Sequence, residues 1–188
     1  MDERVLAAMQ RWPNVPAAYG WLRLDEAGRW RLEGQLIGNR RLIEFIGRNY
    51  LADEHGAWYF QNGPQQVFVE LDYAPWVLHV DAAGRLRDHL GDEVTLDGTG
   101  NLDEEGNLLL GTTRGAGLVA GPSLLELVDG LRGPDGAPLS LEVLADSATE
   151  QSSAGLSLIR DGQQIHLQQL PRAGVPAAFG FIRLPGPA

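Results

Sequence analysis

Cysteine and lysine are both missing from this chain of 188 residues. Without cysteine there is no disulfide, no thiol nucleophile and no thiolate metal site. Without lysine there is no amine for a Schiff base and no lysine for a phosphate-binding loop, since all 15 basic residues are arginine. Positive charge is scarce as well. The formal net charge is −10 and the isoelectric point is near 4.8. An acidic chain with no basic run is poorly suited to displacing counterions, so no nucleic-acid partner is expected. No stretch approaches eighteen consecutive apolar residues, and the opening MDERVLAAMQRW carries acids at its start. That opening reads as a helix and not as a secretory leader, and no membrane partner is expected. The expectation is a soluble cytoplasmic protein.

Reactive motifs are equally sparse. The sequence has no GxSxG, HExxH, Walker loop or dinucleotide fingerprint. The glycine-rich GTTRGAGLVAGPS lacks the lysine and the spacing of a phosphate cradle. In DGTGNLDEEG, Leu102 and Leu108 fall where a calcium loop needs its turn glycine and its bidentate glutamate. His55, His79, His89 and His166 stand singly, without ligand spacing. No catalytic residue, metal site or cofactor follows from these patterns.

What the chain does hold is punctuation. Residues 15–58 read as strand, turn, strand, helix, turn, strand, with DEAG and DEHG as the turns. RWRLE alternates, so Trp30 and Leu32 face one way and Arg29, Arg31 and Glu33 the other. Asn39 is placed to cap a helix carrying Leu42, Ile43, Phe45 and Ile46. Much of this returns in the second half as DEEG, NLLLGT and GPSLLELVDGL. Aligning LIEFI with LLELV sets Gly121 opposite the cap Asn39 and Pro122 at the first helical position. Residues 76–80 read as an edge strand after Pro75. Residues 139–144, 155–160 and 163–170 read as further strands, with residues 145–154 as a polar loop.

The expected fold class is therefore α+β with mainly antiparallel sheets. It has an N-terminal helix over residues 1–14, a first unit over 15–82 and a second over 83–188, the two units related by duplication. The opening decamer VPAAYGWLRL also returns at the C-terminus as VPAAFGFIRL, which reads as a second strand. Burial of the aromatics Trp21 and Phe181 in the core is one reading of this repeat. The sharper one places Trp21, Arg23, Phe181 and Arg183 at a shared groove for a small anionic ligand, since guanidinium suits phosphate or carboxylate. Ordinary surface salt-bridging of these arginines is the third reading. Arg40 is a further candidate, a cation in the first turn of a helix, where the dipole disfavours it; either solvent tolerates the conflict or an anion binds there.

Residues 20–75 resemble a bacterial family of unknown function. The match rests on Gly20, the DEAG turn with Trp30, Gly34, Ile37, Asp53, Gly56, Trp58, Val67, Val69, Asp72 and the Ala74-Pro75 pair. The chain also looks like a proteobacterial set that keeps the WPNVPAAYGW opening. The resemblance implies a duplicated core, a C-terminal domain like a pleckstrin-homology fold, and a nucleotide-like ligand at the domain interface in a signalling role. Two readings of function follow. One is a regulatory module without catalysis that holds a small ligand between its units. The other is a protein-interaction module using an exposed aromatic surface or a sheet edge.

Overall fold

The computed structural model describes residues 1–12, 15–149 and 155–187. The chain divides into two compact units, one of Met1–Pro75 with Gly180–Ala188 and the other of Trp76–Phe179. Both mix helices with mostly antiparallel sheet. Among the described residues no helix is long and apolar enough to cross a membrane.

The first unit opens with helix α1 (Glu3–Arg11), whose Val5 is buried. Strands β1 (Ala18–Leu24), β2 (Trp30–Leu32), β3 (Gln35–Leu36), β4 (Tyr50–Ala52), β5 (Trp58–Asn62) and β6 (Gln65–Leu71) form one sheet in the order β3-β2-β1-β6-β5-β4. All neighbours run antiparallel except β1 and β6, which pair in parallel with Leu22 beside Val69 and Leu24 beside Leu71. Helix α2 (Arg40–Arg48) follows β3 and starts as the sequence predicts, because the Asn39 side chain accepts from the amides of Arg41 and Leu42. Its Ile46 is buried. Trp30 meets Tyr50 edge-on at 5.1 Å, and Tyr50 meets Trp58 at 4.7 Å. Aromatic area of this kind carries much of a small core.

The second unit holds β7 (Trp76–Val80), β8 (Leu86–Asp88), β9 (Leu96–Leu102), β10 (Leu108–Thr112), β11 (Gly115–Val119), β12 (Leu131–Arg132), β13 (Ser157–Arg160) and β14 (Gln163–Gln169). They form a sheet in the order β12-β13-β14-β9-β10-β11-β7-β8. Strand β10 reads as a continuous apolar run, is buried along its whole length, and lies inside the sheet accordingly. Helices α3 (Gly121–Leu127), α4 (Leu141–Thr149) and α5 (Val175–Phe179) belong to this unit.

One turn recurs through both units. Asp25, Asp53, Asp81, Asp88 and Asp103 each accept, through one carboxylate oxygen, the amides two and four residues on. Three residues after each stands a glycine with φ between 75° and 91°. Aspartate supplies the local acceptor and glycine the left-handed backbone, so the turn forms from its own residues. The DHLG copy at Asp88 is one that the sequence reading passed over.

Four expectations need correction. Residues 76–80 are not an edge, since β7 pairs with β11 in parallel and with β8 in antiparallel. Residues 139–144 do not form a strand. Ser140 accepts the Val143 amide and starts α4, whose leucines recur at helical spacing, and the rest of the expected loop lies partly in α4 and partly outside the described residues. The cap of α3 is Ala120 and not Gly121, so Pro122 sits one place later in the first turn than expected. The returning decamer does not repeat the strand either. Val175 and Pro176 open α5, where proline fits a first helical turn, and Gly180 at φ 67° ends it.

Candidate ligand site

An open cleft of about 660 Å³ lies on the first unit, on the sheet face formed by β1, β2 and the end of β6. Strand alternation builds it. Trp21 and Arg23 of β1, Arg31 of β2 and Glu70 of β6 line the cleft, whereas their neighbours Leu22 and Val69 turn into the core. Gly20 at φ 75° sits inside a register shift between Ala18 and Leu22, a bulge just before Trp21. Trp21 is left 54% exposed.

Two ion-pair systems organise the charges. Asp25 is the buried anchor of the first: its second carboxylate oxygen accepts from Nε of Arg29 at 3.0 Å and from Nε of Arg31 at 3.1 Å. Burial pushes the Asp25 carboxyl up, but the Arg29 amide and the Arg31 and Arg29 guanidiniums outweigh it, leaving it below the ordinary carboxylate range. Arg31 also donates through Nη1 to the Gly34 carbonyl at 3.2 Å. Arg29 has no partner for its Nη atoms among the described residues. In the second system Arg23 donates to Glu70 at 2.6 Å and lies 3.4 Å from Asp72. The Glu70 hydrogen bond is the main cause holding Arg23 above its usual value. Glu33 stands at the end of β2 with φ 47°, its amide donating to the Trp21 carbonyl at 2.7 Å. Among the described residues no cluster of three or more metal-ligating side chains is placed to hold an ion.

Residues 1–186 match the profile of a family described as Protein of unknown function (DUF2946). The chain belongs to that family. It is also similar to a solved DUF1285 family protein from Silicibacter pomeroyi, with a TM-score of 0.56 and 17% identity over 89% of this chain and 96% of that one. At that identity the likeness is one of fold. A DUF1285 family protein from Shewanella baltica gives a TM-score of 0.40 and 14% identity over 54% of this chain and 84% of that one. No curated protein matches. The resemblance read from residues 20–75 thus stands at the level of an uncharacterised family.

All five residues singled out from sequence fall in the first unit. Trp21 and Arg23 line the cleft. Arg183 reaches the neighbouring backbone, donating to the Leu71 and Asp72 carbonyls at 3.3 and 2.6 Å. The two decamers therefore bring their arginines to the same residue, Arg23 to the Asp72 carboxylate and Arg183 to its carbonyl. Phe181 is buried at 6% exposure and is a packing residue. Arg40 points into solvent and pairs with Glu44 at 2.9 Å on its own helix.

Missed by the sequence reading were Asp25, Arg29, Arg31, Glu33 and Glu70. Their signal was the alternation RWRLE, which already set Arg29, Arg31 and Glu33 on one face. The pairing of β1 with β6, which adds Glu70 and Asp72, has no local signal. The Asp25 clamp also has a twin in the second unit, where Asp81 accepts from Arg85 Nε at 3.1 Å and Arg87 Nε at 2.8 Å, and Arg87 donates to the Gly91 carbonyl.

Proposed function

We propose that this protein is a small-ligand-binding, regulatory module whose site is the cleft on the first unit. One observation carries this reading. A single buried carboxylate grips Arg29 and Arg31 through Nε, and this presents guanidinium nitrogens beside an exposed tryptophan in a cleft of ligand size. Clamped arginines lose less freedom on binding a carboxylate or phosphate than mobile ones do. Carboxylates outnumber guanidiniums five to three in the lining, which favours a ligand with one anionic group over a polyphosphate. The twin clamps at Asp25 and Asp81 support descent of the two units from one ancestral hairpin unit, and the clamp's shared task is to hold that hairpin.

The test is thermal unfolding of the whole chain against amino acids, dipeptides, organic acids and nucleotides. A ligand at a hundred times its dissociation constant adds about 2.7 kcal/mol. One class should raise the melting temperature of the wild type and of Arg85→Ala, the control in the second unit, and not that of Arg29→Ala. Equal shifts in both variants would place binding elsewhere.

A second reading, protein docking, draws on a different feature. Leu32, Leu36 and Leu42 are exposed, and Leu32 and Leu42 with Ile37 line an apolar groove of about 260 Å³ near α2. Exposed apolar area of this kind marks contact surfaces. Leu36→Asp with Leu42→Asp should abolish any concentration-dependent association seen by sedimentation and leave ligand shifts intact. Association that persists in the double variant would remove this reading.

A further inference from the structure

Resting on the cleft reading above, we infer that the ligand is a hydroxyl-rich monocarboxylate of the hexuronate class, its carboxylate on Arg29 and its hydroxyls on the Arg23–Glu70 pair. The strand register carries this. Arg31 of β2, Arg23 of β1 and Glu70 of β6 stand level in one row across three strands. Arg23 gives both Nε and Nη2 to a single oxygen of Glu70, at 3.1 and 2.6 Å. The other Glu70 oxygen has no partner among the described residues and lies beside Gly20, where a Cβ would stand 3.9 Å from it. Arg31 keeps Nη2, and Arg29 both Nη atoms, without a described partner. Unused acceptors and unused donors are thus interleaved along the cleft and not gathered at separate ends.

The second unit shows that such strands form without this row. There β7 pairs antiparallel with β8 and parallel with β11, as β1 does with β2 and β6. The Asp81 clamp holds Arg85 and Arg87 as Asp25 holds Arg29 and Arg31. Arg87 stands level with His79, and Ala120 follows Val119 where Glu70 follows Val69. The row there reads Arg87, His79, Ala120, with no arginine–glutamate pair. Nor does the pair add much stability to the first unit, since its side chains are 47% and 23% exposed. Its use is in recognition. A hydroxyl donates and accepts at once, so neighbouring hydroxyls satisfy the free Glu70 oxygen and the guanidinium N–H groups together. A carboxylate on an apolar body leaves that oxygen bare, and a polyphosphate meets the five carboxylates of the lining. The exposed Trp21 in the same cleft offers an apolar face to the C–H side of a sugar ring.

The experiment is calorimetric titration of the whole chain with glucuronate, galacturonate, the methyl glycoside of each, methyl glucoside and cyclohexanecarboxylate. At least one hexuronate should bind, with methyl glucoside and cyclohexanecarboxylate at least tenfold weaker. Equal binding of its methyl glycoside assigns the end of a glycan chain, and loss of binding assigns the free sugar acid; both uphold the class. Glu70→Ala, a change to the residue type that the second unit carries in its own row, should bring the hexuronate down to the level of cyclohexanecarboxylate. Arg29→Ala should bring it down to that of methyl glucoside. Cyclohexanecarboxylate binding as tightly, hexuronate binding unchanged in Glu70→Ala, or no hexuronate binding overturns the class. The cleft reading survives that result if a ligand from the thermal panel loses its shift in Arg29→Ala. If nothing in that panel binds either, both readings fall together.

Discussion

His89 shows how a single side chain ties this fold to pH. Part of the residue reaches the surface, but its Nε2 is shut off from solvent and its Nδ1 faces the Val77 amide at 3.4 Å. Burial, then the nearby His79 and Arg114, lowers its pKa to about 3. A histidine that is harder to protonate folded than unfolded takes up protons on unfolding below its ordinary value of about 6.5. Its contribution is therefore whole above that value and is lost as pH falls towards 3, at up to about 1.4 kcal/mol per pH unit. His79, lowered chiefly by burial, acts in the same direction. Urea midpoints at pH 7.5 and 4.5 should differ less in His89→Gln than in the wild type. An identical fall in both would show that the ring titrates as it does in water. Nothing in the sequence marks His89 among four lone histidines. What sets its behaviour is burial against Trp76 at 5.5 Å and the nearness of His79 and of Arg114, whose guanidinium lies 4.3 Å above that indole.

Elements sort by whether their cause is local. Four of the five aspartate turns, all but the one at Asp88, were legible because acceptor, amides and glycine lie within five residues, and the Asn39 cap for the same reason. The two decamers were not. They share Val, Pro, Ala, Ala, Gly, Arg and Leu, yet one pairs on both sides as β1 and the other turns into α5 and a strap. In the strap, the Ile182 amide donates to the Gly56 carbonyl at 2.9 Å and the Leu71 amide donates to the Arg183 carbonyl at 2.8 Å. What differs is the partner strand available, and tertiary pairing overrides so short a propensity. Gly56 is the tight point of this strap. A Cβ there would lie 2.2 Å from the Gly180 carbonyl oxygen, and its φ of 84° is left-handed. Gly56→Ala should cost about 1–2 kcal/mol from the backbone alone, and more from the displaced strap. Limited proteolysis should then cut near Phe181, which the wild type protects. A variant as stable and as resistant as the wild type would show that the strap is not held there.

At the scale of the molecule, the chain leaves the first unit at Pro75, builds the second, and returns its last residues to the first. The α+β class and the mostly antiparallel sheets could be read from alternation and turns. The return of the C-terminus, and the parallel pairing of β1 with β6 that floors the cleft, depend on contacts far apart in sequence and could not. Arg23 and Trp21 were found because the decamer repeats, while Asp25 read as part of a turn and Arg29 and Arg31 as the polar face of a strand until the clamp placed them together.

The measurement nearest to the central claim is the fluorine spectrum of the chain labelled with 5-fluorotryptophan, titrated with the ligand class selected by thermal shift. The chain has five tryptophans, and the Trp21 resonance is assigned by its loss in Trp21→Phe. Binding in the cleft should move the Trp21 signal saturably, leave the signals of the buried Trp30, Trp58 and Trp76 in place, and disappear in Arg29→Ala. A saturable shift confined to another tryptophan, or none with any probe, would contradict the assignment of the cleft as a ligand site.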